Sequence, residues 1–136
     1  MTDETGERIA RDVRRLGEAM ARLDIVLAEP EASSKAWQDA SDAFEYAMDL
    51  FWKVAKEMLA ARGIEARMPR AAMQAAHERG WIEDTDMWIH MLKDEYEISG
   101  SNHSNVVVRQ VYPRIRTYYP EMRRVQERLA ARMDEL

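Results

Sequence analysis

The sequence predicts an all-α protein, an up-and-down bundle of about five helices, and three observations support this. Alanine, arginine, glutamate, leucine and methionine, all good helix formers, dominate the 136 residues. Five glycines and four prolines are too few for the many turns of an all-β fold. Apolar residues recur at the three- and four-residue spacing of amphipathic helices. The length predicts a single domain over residues 1–136.

Two long helices are predicted in the first half of the chain. The first covers residues 5–29, and the second runs from about Ser34 to Arg62, where Gly63 closes it. Large apolar side chains are so frequent in the second helix that we expect it to be the spine of the core. The apolar stripe of the first helix consists of Ile9, Val13, Leu16, Met20, Leu23 and Leu27.

A short helix follows, with Pro69 near its first turn and Gly80 at its end. The fourth predicted helix covers about residues 84–98, where capping and first-turn acids precede an apolar pattern.

The last helix begins near Ser104 and contains two prolines. Pro113 has no amide to bond to the fourth carbonyl before it, so we expect a kink or a break near Tyr112. For the same reason we expect a lesser kink near Pro120.

Composition excludes several classes of site and location. The chain has no cysteine, so disulfides, thiolate nucleophiles and cysteine metal sites are ruled out, as fits a reducing cytoplasm. No apolar run approaches the roughly 20 residues that span a bilayer, and the N-terminus is charged throughout. We therefore expect a cytoplasmic protein with no membrane contact.

Charge is distributed unevenly. Residues 24–51 carry a net charge of −6 and residues 83–97 a net charge of −5, whereas residues 104–136 carry +3. A nucleic-acid backbone prefers a basic face, which only the last helix offers. The acidic segments therefore favour a protein partner over nucleic acid.

The polar turn within residues 95–105 is the first candidate site. Gly100 and its short polar neighbours favour a turn, so we expect the fourth helix to end before it. His103 is a candidate general base there, with Asn102 beside it, because its ordinary pKa suits proton transfer near neutrality. The alternative is that a polar residue of the turn caps the last helix while His103 is merely exposed, and the composition favours that alternative.

A second candidate is the set Asp86, His90 and Asp94, spaced by four residues along one face of the fourth helix. An imidazole and two carboxylates can bind a divalent metal, but the spacing matches no recognised metal signature. Acidic residues beside a histidine are common on solvated helices. We therefore predict no metal and no other cofactor.

Four segments resemble a known family when taken in order. The segment FEYAMDLFWK at residues 44–53 resembles the Phe…Trp-Lys helix of the nucleotidyltransferase substrate-binding protein family. Met68-Pro69-Arg70 with Gly80-Trp81-Ile82 resembles that family's third helix and closing turn. WIHMLKD at residues 88–94 is similar to its fourth helix, and Tyr119-Pro120 to a proline in its last. The resemblance covers roughly residues 8–133.

The resemblance implies a small helical bundle of the HEPN superfamily. Members of the family resemble one another in forming homodimers and in pairing with a separately encoded minimal nucleotidyltransferase. Some related members are ribonuclease toxins of toxin–antitoxin pairs, in which the nucleotidyltransferase is the antitoxin and can modify a tyrosine of the toxin.

This sequence departs from the ribonuclease motif of those toxins. That motif is an arginine, four to six residues, then a histidine, often followed two positions later by the tyrosine. Here Glu95 stands at the arginine position, His103 follows after seven intervening residues, and Asn105 stands where the tyrosine would be. A carboxylate in place of the arginine repels phosphate instead of stabilising the charge of a transition state.

The resemblance therefore implies a non-catalytic partner subunit, a homodimer that binds a minimal nucleotidyltransferase. The alternative is a ribonuclease toxin with a remodelled site that uses His103 and Asn102. A third hypothesis is binding of a nucleotide or RNA in the cleft, with phosphate held by arginines such as Arg109. The residues that we expect to line the cleft are Lys93, Asp94, Glu95, Ser99, Asn102, His103, Asn105 and Arg109.

Overall fold

The structure is a computed structural model that describes residues 3–30 and 32–133. Within these ranges the chain forms a bundle of five α-helices with no strand, as the sequence predicts. None of the described helices has the length and apolar character that crossing a bilayer requires. The helices are α1 (Asp3–Leu27), α2 (Ser34–Ala61), α3 (Pro69–Glu78), α4 (Thr85–Gly100) and α5 (Asn105–Arg132).

Helix α2 is the centre of the bundle and packs against each of the other four helices. Two aromatic contacts anchor its neighbours. Phe51 meets Trp88 of α4 edge to face with ring centres 4.9 Å apart, and Phe44 stacks on Tyr118 of α5 at 6.0 Å. Burying side chains of this size typically stabilises a fold by about 1.5–3 kcal/mol each. These contacts fix α4 and α5 on α2. Together the three helices carry the candidate site.

The helix ends follow the local signals in the sequence. The Ser33 side chain accepts a hydrogen bond from the Ala36 amide at 3.1 Å and so caps α2. Ser104 caps α5 in the same way. Gly63 and Gly80 follow α2 and α3 with φ of 79° and 76°, in the left-handed region that glycine enters without steric cost.

The end of α4 differs from the prediction. The helix continues through Gly100, and the Ser101 amide still bonds to the Glu97 carbonyl at 3.0 Å. The chain reverses instead at Asn102 and His103, whose φ values of 54° and 57° lie in the left-handed region. Asparagine tolerates this conformation because its short side chain is polar, so the turn begins two residues later than expected.

The prolines of α5 do not break it. The helix runs continuously from Asn105 to Arg132, so the break that we considered near Tyr112 is absent. Each proline removes one backbone hydrogen bond, whereas buried side chains on both sides of Pro113 hold the helix against the core. These are Val108, Val111, Tyr112, Ile115 and Tyr118.

Candidate functional site

The turn between α4 and α5 is held from both sides. Within the turn, the His103 amide donates to the Ile98 carbonyl at 3.0 Å. From α2, the Gln38 amide group donates to the His103 carbonyl at 2.7 Å and to the Asn105 side chain at 3.0 Å. Ser34 also donates to the Asn105 side chain, at 2.9 Å. These bonds tie the turn to the first half of α2 and give Asn105 a structural role.

His103 lies between two carboxylates of α2. Its Nε2 is 2.8 Å from Glu45 Oε2, and its Nδ1 is 3.1 Å from Asp42 Oδ1. The contact of Nε2 with Glu45 is a hydrogen bond, and Nδ1 lies within ion-pairing distance of Asp42, so both ring nitrogens are engaged by carboxylates of α2. The side chain is a bridge from the turn to α2.

An acidic pocket opens beside this bridge, between α2 and α4. It is a shallow cavity of about 180 Å³. We use the name acidic pocket for the cavity and the residues that line it, which are Glu45, Asp49, Glu95, Tyr96 and Ser99.

Glu95 is the most constrained residue of the acidic pocket. The residue is only 7% exposed, and its Oε2 atom is buried without a hydrogen-bonding partner. Burial raises the pKa of Glu95 to about 8, and the neighbouring carboxylates of Asp49 and Glu45 act in the same direction. Glu95 therefore holds a proton near neutral pH.

Asp94, the preceding residue, faces different neighbours. Its Oδ1 accepts a hydrogen bond from Arg114 Nη1 at 2.7 Å, and its Oδ2 accepts one from the Tyr118 hydroxyl at 2.5 Å. Burial and the adjacent Asp94 charge raise the pKa of the Tyr118 hydroxyl well above its usual value. Asp94 thus joins α4 to α5 and is not among the residues that line the acidic pocket.

The structure divides the predicted cleft residues into groups. Glu95 and Ser99 line the acidic pocket, and His103 lies against it through Glu45. Asn102 is exposed in the turn, and Lys93 is exposed on α4. The Arg109 guanidinium lies 5.3 Å above the Trp37 ring, in contact with α2 and outside the pocket lining.

The possible metal site on α4 does not assemble. Asp86 and His90 are exposed, whereas Asp94 is buried and bonded to Arg114 and Tyr118. Across residues 3–30 and 32–133, no three His, Asp or Glu side chains converge in a way that could hold a metal ion.

The α2 half of the site was not among the residues predicted from the sequence. Asp42, Glu45 and Asp49 are three and four residues apart, which places them on one face of a helix. They lie in the acidic segment 24–51, so the helical spacing of its carboxylates was the available signal. This spacing alone does not show that α4 and the following turn bring Glu95 and His103 to the three carboxylates of α2.

The fold and the pocket first define a class, a small all-α bundle with a charged surface site between two helices. A crystal structure of a protein from Thermus thermophilus has this fold, with a TM-score of 0.74 and 24% sequence identity. That similarity covers 84% of the present chain and 98% of the other, and it shows the fold alone. No curated protein gives a match.

The family is identified from the sequence. The model of the family described as nucleotidyltransferase substrate binding protein like matches residues 11–131, almost the whole chain. The chain therefore belongs to this family, which confirms the family that the four segments of the sequence resemble.

Proposed function

We propose that the chain is the non-catalytic substrate-binding subunit of a separately encoded minimal nucleotidyltransferase, and that it acts as a cytoplasmic homodimer. The observation that carries the proposal is the family match over residues 11–131. The family's description pairs substrate binding with a nucleotidyltransferase, so the chain supplies binding surface to another polypeptide that carries the transfer chemistry.

The chemistry of the site supports a binding role over ribonuclease activity. Cleavage of RNA needs a group that accepts a proton and a site that tolerates phosphate. Both nitrogens of His103 face carboxylates. Glu95 stands where the resemblance places the motif arginine, and the pocket around it is lined by further carboxylates that repel phosphate.

Co-expression tests the proposal directly. The tagged chain is produced together with the nucleotidyltransferase encoded beside it, purified by the tag, and analysed for mass by light scattering. We expect the two polypeptides to co-purify, and the chain alone to elute with twice the mass of its 15.9 kDa protomer. Failure of the wild-type chain to retain the nucleotidyltransferase contradicts the proposal.

A second assay decides for or against the ribonuclease alternative. Wild type and His103→Ala are incubated with RNA in the presence of a chelator, and we expect the RNA to stay intact with both. Cleavage by the wild type that His103→Ala abolishes contradicts the non-catalytic role.

Nucleotide binding in the cleft is tested by calorimetry. Arg109 contacts Trp37 and does not line the acidic pocket, whose lining includes no basic side chain to hold a phosphate. With ATP as the probe, we expect no heat of binding. A saturable heat that Arg109→Ala removes restores the nucleotide hypothesis.

A further inference from the structure

Four acidic residues of the described chain are buried, and they differ in whether the protein neutralises them. Three have a basic side chain of the same chain at ion-pairing distance. Glu95 has no such partner among the described residues, and the charged groups that act on its pKa are Asp49 and Glu45. The three neutralised pairs are Asp12 with Lys53 at 3.4 Å, Asp94 with Arg114 at 2.7 Å, and Glu121 with Arg124 at 3.3 Å.

Burying a carboxylate without a cation is costly, and the cost is larger when other carboxylates surround it. Glu95 lines a cavity, its Oε2 atom is buried with no hydrogen-bonding partner, and the side chain that hydrogen-bonds to its carboxyl is another acid, Asp49. A buried carboxyl whose neighbours in the cavity are other carboxyl groups is a site that a cation would stabilise.

The Asp94 site shows which cation this protein uses in the same setting. There, one buried carboxylate accepts hydrogen bonds from an arginine guanidinium and from a tyrosine hydroxyl. The acidic pocket has the carboxylate in Glu95 and a tyrosine in Tyr96, which is 57% exposed. Only the guanidinium is missing from this set.

We propose that the acidic pocket receives an arginine side chain of the partner nucleotidyltransferase, whose guanidinium bonds to Glu95 and Asp49 and lies against the Tyr96 ring. This inference rests on the proposed function. A guanidinium offers several donors in one plane, matches the geometry of carboxylates and stacks on aromatic rings. The pocket has a volume of about 180 Å³, which is room enough for such a head group.

Other occupants fit less well. A phosphate is repelled by the carboxylates that line the pocket. A metal ion needs converging ligands, and the described residues contain no such group of three. A lysine ammonium would carry the right charge but neither matches two carboxylates in one plane nor stacks on Tyr96 as a guanidinium does.

Binding of a cation is linked to the proton on Glu95. The groups that face this carboxyl are Asp49 and Glu45 of α2. Because its pKa is raised, the Glu95 carboxyl is protonated near neutrality. A guanidinium favours the ionised carboxylate, so its entry releases a proton. The affinity should therefore rise with pH until it passes the pKa of Glu95 near 8.

The main experiment compares Glu95→Gln with Glu97→Gln in the complex. Both substitutions replace one carboxyl group of α4 by an amide, but Glu97 is exposed and outside the pocket. From the strength of charged hydrogen bonds, we expect Glu95→Gln to weaken binding of the nucleotidyltransferase at least about tenfold. Glu97→Gln should bind as the wild type does. Thermal unfolding of each variant verifies that it is folded.

A peptide titration tests binding to the acidic pocket in the absence of the nucleotidyltransferase. The probes are acetyl-Gly-Arg-Gly-amide and the same peptide with citrulline, which keeps the shape and loses the charge. We expect the arginine peptide alone to shift the amide NMR signals of residues 45–49 and 95–99 in the wild type, more strongly at about pH 8 than at about pH 6, and not in Glu95→Gln.

The outcomes separate the two proposals. If the wild type retains no nucleotidyltransferase, the proposed function is wrong. If Glu95→Gln retains it as tightly as the wild type does, only the arginine contact is wrong. A change of Glu95→Gln from dimer to monomer also overturns the inference, because the occupant would then come from a second copy of this chain.

Discussion

Asp94 and Glu95 are adjacent in the sequence and similarly buried, with 5% and 7% of each residue exposed, yet their surroundings are opposite. Asp94 faces α5 and meets a guanidinium and a hydroxyl. Glu95 faces α2 and meets two more carboxylates. Successive residues of an α-helix point about 100° apart, so a single step along α4 moves the side chain from one neighbouring helix to another.

The different surroundings of Asp94 and Glu95 suit them to different roles, one in stability and one in the binding that we propose. The Asp94 site is complete within one chain, and it stabilises the contact between α4 and α5. At the Glu95 site, burial and the neighbouring acids keep Glu95 in its protonated form near neutral pH. Sites that bind are commonly held in arrangements that cost stability. The acidic pocket is such an arrangement. The Asp94 site provides the comparison on the same helix, because its buried carboxylate is paired with an arginine.

The largest effect is expected at Asp94. Asp94→Ala leaves the buried Tyr118 hydroxyl without an acceptor and Arg114 without its partner. We expect the free energy of unfolding in urea to fall by roughly 2–3 kcal/mol. Asp94→Asn keeps an oxygen for the tyrosine and should lose clearly less. Equal losses for the two variants contradict the assignment of Asp94 as the acceptor of both bonds.

At Glu95 we expect a substitution to raise the free energy of unfolding, which is the opposite of the effect at Asp94. Its pKa is about 8 in the folded protein and about 4.3 when unfolded, so the folded state binds more protons between these values. The free energy of unfolding therefore falls as pH rises through this window, and Glu95→Gln removes that loss. We expect the variant to be more stable than the wild type by about 1–2 kcal/mol at about pH 9, from the size of pKa effects discounted for screening.

The gain should vanish at about pH 4, where the carboxyl is protonated in both states. Unfolding in urea at the two pH values measures it. A variant that is less stable than the wild type at the higher pH shows that Glu95 is neutralised in the free protein.

The tyrosines of the two sites should differ as well. Tyr118→Phe removes the hydrogen bond to Asp94, and we expect a loss of about 1 kcal/mol in the free energy of unfolding. Tyr96 is exposed, and Tyr96→Phe should change stability by less than about 0.5 kcal/mol. Thermal melts of the two variants side by side test the contrast, which similar losses would contradict.

Of the two carboxyl groups with a raised pKa, Glu57 should have the smaller effect; it shares a carboxyl contact with Asp12 between α1 and α2. Burial and Asp12 raise the pKa of Glu57 to about 7, but Arg8 and Lys53 lower it in part. Glu57→Gln should therefore stabilise the protein at high pH by less than Glu95→Gln does, under about 1 kcal/mol. Unfolding in urea at about pH 9 measures both variants. A larger gain than at Glu95 contradicts the view that nearby cations distinguish the two clusters.

Much of the fold could be predicted from the sequence, because its signals are local. Gly63 closes α2 as predicted, and a polar residue of the turn, Ser104, caps α5, since each of them acts within one helical turn. One local expectation was wrong, because Gly100 stayed helical. Of the kink or break expected near Tyr112, the break is absent, because packing on both sides of Pro113 outweighed one lost hydrogen bond.

The candidate site was predictable only in part. Glu95, Ser99 and His103 were in the predicted cleft, whereas Asp42, Glu45 and Asp49 come from a helix much earlier in the chain, with a separation of 50 residues between Glu45 and Glu95. Lys93 and Arg109 were predicted with them and do not line the pocket. The positions of Lys93 and Arg109 in the sequence do not indicate which helix their side chains face.

The sequence by itself determined the five helices, the caps of α5 and α2, and the family, because these depend on residue types and spacings along one stretch of chain. The tertiary structure alone decided that, among the described residues, Asp94 has a cation as its partner and Glu95 does not. Hydrogen bonds and ion pairs depend on distances between helices, and a helix changes the direction of its side chains by about 100° at each residue. Two neighbouring carboxylates thus acquired different roles that their sequence positions do not distinguish.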